Sequence, residues 1–233
     1  MTRPWVTLAK VATREGELEL RQRGPDDFLI LIGGRVLMTS KARRSEEVLA
    51  TVACAALGPR DAPRMLIGGL GMGYTLRAAL DALPPRATVT VVELTREVED
   101  WCRGPLAPLT AGAVTDPRVK VVIADVARVI TSARPGAYDL ILLDLYEGAY
   151  PAQQRGDDPH FGRAALLRTR AALAKGGLLA IWAEDPAPSF PDRLAAAGFS
   201  VTVHRAGRGG RQHVIYLAGD PKPPARGPRR PRQ

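Results

Sequence analysis

The sequence predicts an α/β fold, a mostly parallel sheet wound with helices behind a small all-β unit, and three observations carry that expectation. From residue 64 onward, short apolar runs alternate with stretches of helical periodicity. A glycine cluster follows the first of those runs, where a strand would turn into a helix. The first forty residues, in contrast, hold short strand-like runs separated by turn residues.

In chain order, strands over Trp5–Val11, Glu17–Arg21, Phe28–Ile32 and Val36–Thr39 are set apart by Arg14-Glu15-Gly16, Gly24-Pro25-Asp26 and Gly33-Gly34. A helix then starts at Ser45, whose hydroxyl is placed to cap it, with Glu46 and Glu47 in the positively polarised first turn. It carries Val48, Leu49, Val52 and Ala56 and stops at Gly58-Pro59. Apolar strands follow at Met65–Ile67, Thr88–Val92, Val119–Ile123, Tyr138–Leu143 and Gly177–Trp182. Helices lie between them at Thr75–Ala82, Arg96–Trp101, Val126–Ala133 and Arg163–Ala174. Strands apolar throughout mark a parallel sheet buried on both faces. Ser200–Arg205 and His213–Leu217 form a closing antiparallel hairpin around Gly207–Gly210, the ending of a Rossmann-like, methyltransferase-type sheet. The chain therefore divides into a small N-terminal β-domain over 1–44, a Rossmann-like domain over 45–218, and a basic, disordered Pro- and Arg-rich tail over 219–233.

Composition narrows the function classes. The chain has 233 residues, ample for a buried core, and apolar runs such as Leu140–Leu143 fall far short of the roughly 20 residues that span a membrane. The opening Met1-Thr2-Arg3-Pro4-Trp5 lacks the apolar centre of a secretory signal. Cys54 and Cys102 sit in different predicted helices without metal-ligand spacing, so they read as free buried thiols, no metal site is expected, and the cytoplasm is the expected compartment. The net charge of +9 points toward nucleic acid, but five cations without an acid lie in residues 221–233, leaving +4 on the rest. No interleaving of arginine with aromatic residues marks a single-strand groove, so nucleic acid is not an expected partner.

The chemistry-bearing residues fall at predicted strand ends. Gly68, Gly69, Gly71 and Gly73 lie in Ile67-Gly68-Gly69-Leu70-Gly71-Met72-Gly73, where glycines permit a tight turn and close approach of a ligand to a helix N-terminus. Glu93 ends the next strand, 24 residues after Gly69, the spacing at which a carboxylate meets ribose hydroxyls. Asp125 follows the third strand, where it serves as a helix N-cap, reaches an adenine amino group, or does both. Asp144 ends the fourth strand and faces the ligand crevice of such a sheet. His160 reads as a solvated residue of a polar lid-like loop over Gln153–Gly162, and His204 and His213 belong to the hairpin.

From about Glu17 to Leu217 the chain resembles the spermidine/spermine synthase family. The resemblance is carried by Ile67-Gly68-Gly69 with the glycines beyond it, Val92-Glu93, Asp116-Pro117-Arg118-Val119, Asp125, Tyr138-Asp139-Leu140-Ile141-Leu142-Leu143-Asp144 and Leu173-Ala174-Lys175-Gly176-Gly177. It implies transfer of an aminopropyl group from decarboxylated S-adenosylmethionine to a small amine-bearing acceptor, and it is compatible with a homodimer. It further implies that Glu47 lines the acceptor site and that Glu147 stands where the family's base lies, so that Asp144 orients the acceptor amine while Glu147 takes its proton. The chemistry of the transfer adds Tyr146 and Tyr150, which either orient the acceptor by hydroxyl or ring face or serve in packing.

The departures from the family pattern shape the rest of the expectation. Gly71 stands where the family carries an aspartate that pairs with the donor's ammonium. Ser45-Glu46-Glu47 replaces Tyr-His-Glu, and Asp144-Leu145-Tyr146-Glu147-Gly148 replaces Asp-x-x-Asp-Pro. A weaker preference for the decarboxylated donor is expected on that ground, since a desolvated ammonium needs an anion. The alternatives are an S-adenosylmethionine-dependent methyltransferase and, in a different class, a non-catalytic adenosyl-binding or RNA-interacting module.

Overall fold

The computed structural model describes residues 3–13, 15–145, 157–206 and 213–220. Strands β1 (Val6–Thr13), β2 (Gly16–Arg23), β3 (Asp27–Ile32) and β4 (Arg35–Thr39) form an antiparallel four-stranded sheet in that order. Alternation puts Leu18, Leu20, Phe28, Ile30 and Ile32 on one face of it. These side chains are buried in one apolar cluster with Leu49, Met65 and Ile67, so the small sheet has no core separate from that of the α/β unit. Tyr74 ties the two together, its hydroxyl donating to the Ser40 carbonyl at 3.2 Å.

Helix α1 (Arg44–Leu57) leads into β5 (Arg64–Gly68), α2 (Tyr74–Ala82), β6 (Thr88–Glu93), α3 (Arg96–Arg103), β7 (Val119–Ile123), α4 (Val126–Ser132) and β8 (Tyr138–Leu143). Then come α5 (Arg163–Ala172), β9 (Leu173–Ala183), α6 (Phe190–Ala196), β10 (Ser200–Ala206) and β11 (His213–Gly219). The second sheet has the order β10-β11-β9-β8-β5-β6-β7. Strands β5 to β9 are parallel, and β11 is antiparallel to both β9 and β10. The predicted fold class holds: a Rossmann-like, methyltransferase-type sheet with a closing hairpin behind an antiparallel β unit.

The topology locates the site. The chain runs outward from β5 through β6 to β7 and then returns to β8 on the other side of β5. The crevice between the carboxyl ends of β5 and β8 is where the strand order reverses, the place such sheets bind ligands. Side-chain alternation decides which helices meet there. Leu140 and Leu142 of β8 pack with α1 and α2, while Ile141 and Leu143 pack with α4, α5 and α6. The next residue, Asp144, therefore turns toward α1 and α2.

Two of the motifs behind the resemblance are structural. Asp139 accepts from the backbone N–H and Nε of Arg64, both at 2.9 Å, and from Arg60 Nη1 at 3.0 Å. Burial opposes its charge, but these partners outweigh burial and hold the carboxyl below its usual range. Arg118 grips Asp116 and donates to the carbonyls of Leu80 and Leu83, joining the start of β7 to the end of α2.

The structure departs from expectation in local detail. Ser45 lies inside the first turn of α1, not at its cap, and its hydroxyl donates to Glu46 Oε2 at 2.5 Å. Strand β9 begins at Leu173, directly after α5, with a register shift opposite Tyr138 to Leu140. Helix α6, with Pro191 in its first turn, and short 3₁₀ turns at Ala107–Thr110 and Ala113–Thr115 carry too little periodicity to be read in advance. Among the described residues no helix is long and apolar enough to cross a membrane.

Candidate active site

The glycine turn is shaped by close backbone packing. A Cβ on Gly69 would stand 2.2 Å from the Asp144 carbonyl oxygen, and its φ of 90° lies in the left-handed region, so the position admits only glycine. This contact brings the ends of β5 and β8 together at the crevice. Gly71, at φ 52°, faces the Met38 sulfur, 3.0 Å from where a Cβ would sit. Gly68 makes room for Val126, and Gly73 enters α2 in a left-handed conformation. The first N–H groups of α2 carry no side-chain cap, which leaves the positive end of the helix at the turn.

Glu93 is buried at the end of β6 and reaches back under the turn. Its Oε2 accepts from the Leu70 N–H and its Oε1 from the Thr95 N–H, each at 2.9 Å. Burial raises its titration, opposed by these N–H groups. The bond from Leu70 clamps the turn, and the bond from Thr95 fixes the carboxylate to the entry of α3. Asp125 caps α4, its Oδ1 accepting from the Ala127 N–H at 2.8 Å. His160 Nε2 lies 3.5 Å from the same oxygen, which places this histidine at the rim beside Asp125.

Asp144 is a carboxyl strongly altered by its surroundings. Its backbone N–H donates to the Gly68 carbonyl at 2.9 Å, and its Oδ2 accepts from Thr75 Oγ1 at 2.5 Å. Desolvation, joined by the nearby charge of Glu46, pushes it up to about 7, against the pull of Thr75. Glu46 is itself buried, at 8% exposure, and burial raises it too. The first turn of α1 thus sets one carboxylate facing another across the crevice.

Helix phase separates Glu46 from its neighbour. Glu46, Leu49, Ala50 and Ala53 share the buried face of α1. Glu47 instead points outward, 44% exposed, with Oε1 3.2 Å from Arg43 Nε. The structure therefore brings Glu46, not Glu47, to Asp144. The i, i+3, i+4, i+7 spacing of Glu46 with the apolar residues is the signal that distinguishes them. Thr75 and His213 are further members of the site that the motifs do not mark. His213 stacks on Trp182 with ring centroids 5.0 Å apart and adds its field at Glu46. Nothing in the local pattern singles out either residue. Tyr146, Glu147 and Tyr150 lie outside the described residues.

Other features do not compete with this site. A concavity of about 600 Å³, lined by Cys54, Arg60, Pro63 and Ala82, lies at the opposite, amino end of β5. Burial pushes the Cys54 thiol up to about 11 and that of Cys102 to about 12, so neither is a ready nucleophile. Cys102 Sγ donates to the Gly71 carbonyl at 3.3 Å, adding to the support of the turn.

A glycine turn, an acid at the end of the next strand and a carboxylate at the switch point stand together at the carboxyl ends of the strands of a Rossmann-like sheet. The chain belongs to the spermine/spermidine synthase family, whose domain matches residues 43–189. It is 30% identical over 196 residues to a polyamine aminopropyltransferase of Mycobacterium tuberculosis, across 81% of this chain and 36% of that protein. It is 33% identical over 122 residues to putrescine N-methyltransferase 1 of Nicotiana tabacum, across 52% of this chain and 31% of that protein. The chain thus spans about a third of the length of these curated relatives. In fold it is similar to the spermidine synthase of Thermotoga maritima, with a TM-score of 0.73 at 19% identity over 92% of this chain and 73% of that one.

Proposed function

We propose that this protein is a transferase that moves a carbon group, aminopropyl in the leading reading, from an S-adenosylmethionine-type sulfonium donor to a small amine-bearing acceptor. The observation that carries the reading is Asp144: a carboxyl at the switch point, oriented by Thr75 and titrating near 7, in a chain of this family. The glycine turn supplies the close backbone approach, Glu93 the ribose contact and Asp125 the contact to the adenine edge. A small-molecule amine partner and a cytoplasmic location belong to the same reading.

The chemistry asks little of the protein beyond placement and one proton transfer. The amine lone pair attacks the carbon attached to sulfur; the C–N bond forms as the C–S bond breaks, and the sulfur keeps the electron pair as a neutral thioether. The proton leaves the nitrogen for a carboxylate. A group titrating near 7 is well matched to that role at neutral pH, which supports Asp144; Glu147 is the second candidate.

Methyl transfer is the second reading, favoured by the similarity to the tobacco putrescine N-methyltransferases. Incubation with each donor and a panel of diamines, polyamines and simple amines, read by mass spectrometry, tests both. Methylthioadenosine with an aminopropylated amine supports the leading reading, and S-adenosylhomocysteine with a methylated amine supports the second. Donor binding without either product points to a non-catalytic adenosyl-binding module.

A further inference from the structure

The crevice holds more negative charge than its own protein partners balance. Glu46 is buried on the inner face of α1, accepts a hydrogen bond from the Ser45 hydroxyl, and makes no ion pair with a cation among the described residues. Asp144, which alternation along β8 turns toward α1 and α2, accepts from Thr75 and has no basic ion-pair partner among the described residues either. The chain leading into α1 locates Glu46. Met38 packs against Gly71, the Ser40 carbonyl accepts from the Tyr74 hydroxyl at 3.2 Å, and the Arg43 guanidinium lies 5.7 Å from the centre of the Tyr74 ring. The buried face of the first turn of α1, which carries Glu46, therefore follows directly on a segment packed against the glycine turn and the start of α2.

The turn itself has no acid to offer. Gly71 is held at φ 52° with the Met38 sulfur where a side chain would grow, and the side chains of Leu70 and Met72 are buried. A ligand whose adenosyl part occupies the turn would extend its sulfonium substituent toward the opening between Asp144 and Glu46. A cationic tail there gains an anion that is already desolvated, whereas a carboxylate on the same tail meets like charge.

We infer that Glu46 is the donor-selecting residue of this site: its carboxylate pairs with the ammonium of a carboxylate-free aminopropyl tail and repels the carboxylate of S-adenosylmethionine. The inference rests on the donor-site reading above. It reverses the weaker preference expected from Gly71 alone, because the charge that the turn lacks enters from α1.

Calorimetric titration of the full chain with methylthioadenosine, decarboxylated S-adenosylmethionine and S-adenosylmethionine tests it. The wild-type protein is expected to bind the decarboxylated donor at least about tenfold more tightly than S-adenosylmethionine. Glu46→Gln keeps size and burial while removing the charge. It is expected to weaken the decarboxylated donor by roughly 10–100-fold and to leave methylthioadenosine within about twofold. A wild-type protein that binds both sulfonium donors equally overturns the inference without recourse to any variant. So does a Glu46→Gln protein with unchanged affinity for the decarboxylated donor. Failure of methylthioadenosine to bind the wild type removes the donor-site reading, and the inference with it.

Discussion

Replacing Asp144 with asparagine should stabilise the protein by an amount that grows as pH rises. In the folded chain this carboxyl titrates near 7, against about 3.9 for an aspartate in an unfolded chain. Three pH units at about 1.4 kcal/mol each set an upper bound of about 4 kcal/mol. Solvent reaches part of the residue, and with that screening about 2 kcal/mol is the more realistic size. The sign follows from proton counts. Below about pH 4 the group is protonated in both states and costs nothing. Between about 4 and 7 the unfolded chain releases the proton while the folded chain keeps it, so wild-type stability falls as pH rises. Above about 7 both states are ionised and the loss is complete. Asparagine retains an oxygen for Thr75 and carries no charge at any pH. Urea unfolding of both proteins from pH 4 to 8 reads the effect; titrations not coupled to Asp144 cancel in the difference, and the eased titration of Glu46 adds to it with the same sign. Asp144→Asn should gain about 2 kcal/mol on wild type between the two ends of that range. A difference that stays flat across it would refute the placement of Asp144 in a desolvated, like-charged setting.

Other perturbations address the remaining parts of the site. Glu93→Ala should weaken methylthioadenosine by about 1.5–3 kcal/mol, read by calorimetry on protein shown by thermal melting to be folded; unchanged affinity removes the ribose assignment. Gly69→Ala drives a methyl group against the Asp144 carbonyl at a positive φ, and urea unfolding should show a loss of about 3 kcal/mol or more. Asp139→Ala strips Arg60 and Arg64 of their shared partner and should cost about 3–5 kcal/mol in the same assay, with donor affinity of the folded protein intact. Glu147→Gln should reduce turnover by roughly 10²–10⁴-fold with little change in donor affinity if Glu147 takes the amine proton. Full turnover in that variant across about pH 6–9 transfers the role to Asp144.

Much of this architecture is legible without coordinates because it rests on short-range periodicity. Strands such as Leu140–Leu143 are apolar at every position, which only a sheet covered on both faces requires. The hairpin Ser200–Ala206 with His213–Gly219 announces itself in the sequence as two short strand-like runs on either side of Gly207-Arg208-Gly209-Gly210. The elements that sequence does not reveal are those without a period: α6 has seven residues with a proline in its first turn, and the 3₁₀ turns have three or four. Motifs do not by themselves separate structural residues from functional ones. Asp116 and Asp139 belong to the motifs that carry the resemblance, and both hold arginines that staple strands to their neighbours.

The fold class, the glycine turn at the end of the first parallel strand, and the carboxylates at the ends of the next strands are all present in the order of residues. Each depends on spacing within one element or between consecutive ones, and spacing is what a sequence records. Which of two adjacent glutamates enters the crevice is a matter of packing, because it depends on the rotation of α1 against β8 and β9. Packing alone also joins Thr75, Asp144 and Glu46, separated by up to about a hundred positions in the chain, into one desolvated cluster. A carboxyl's titration is set by the charges and solvent around it, and those neighbours come from three elements that meet when the sheet is assembled.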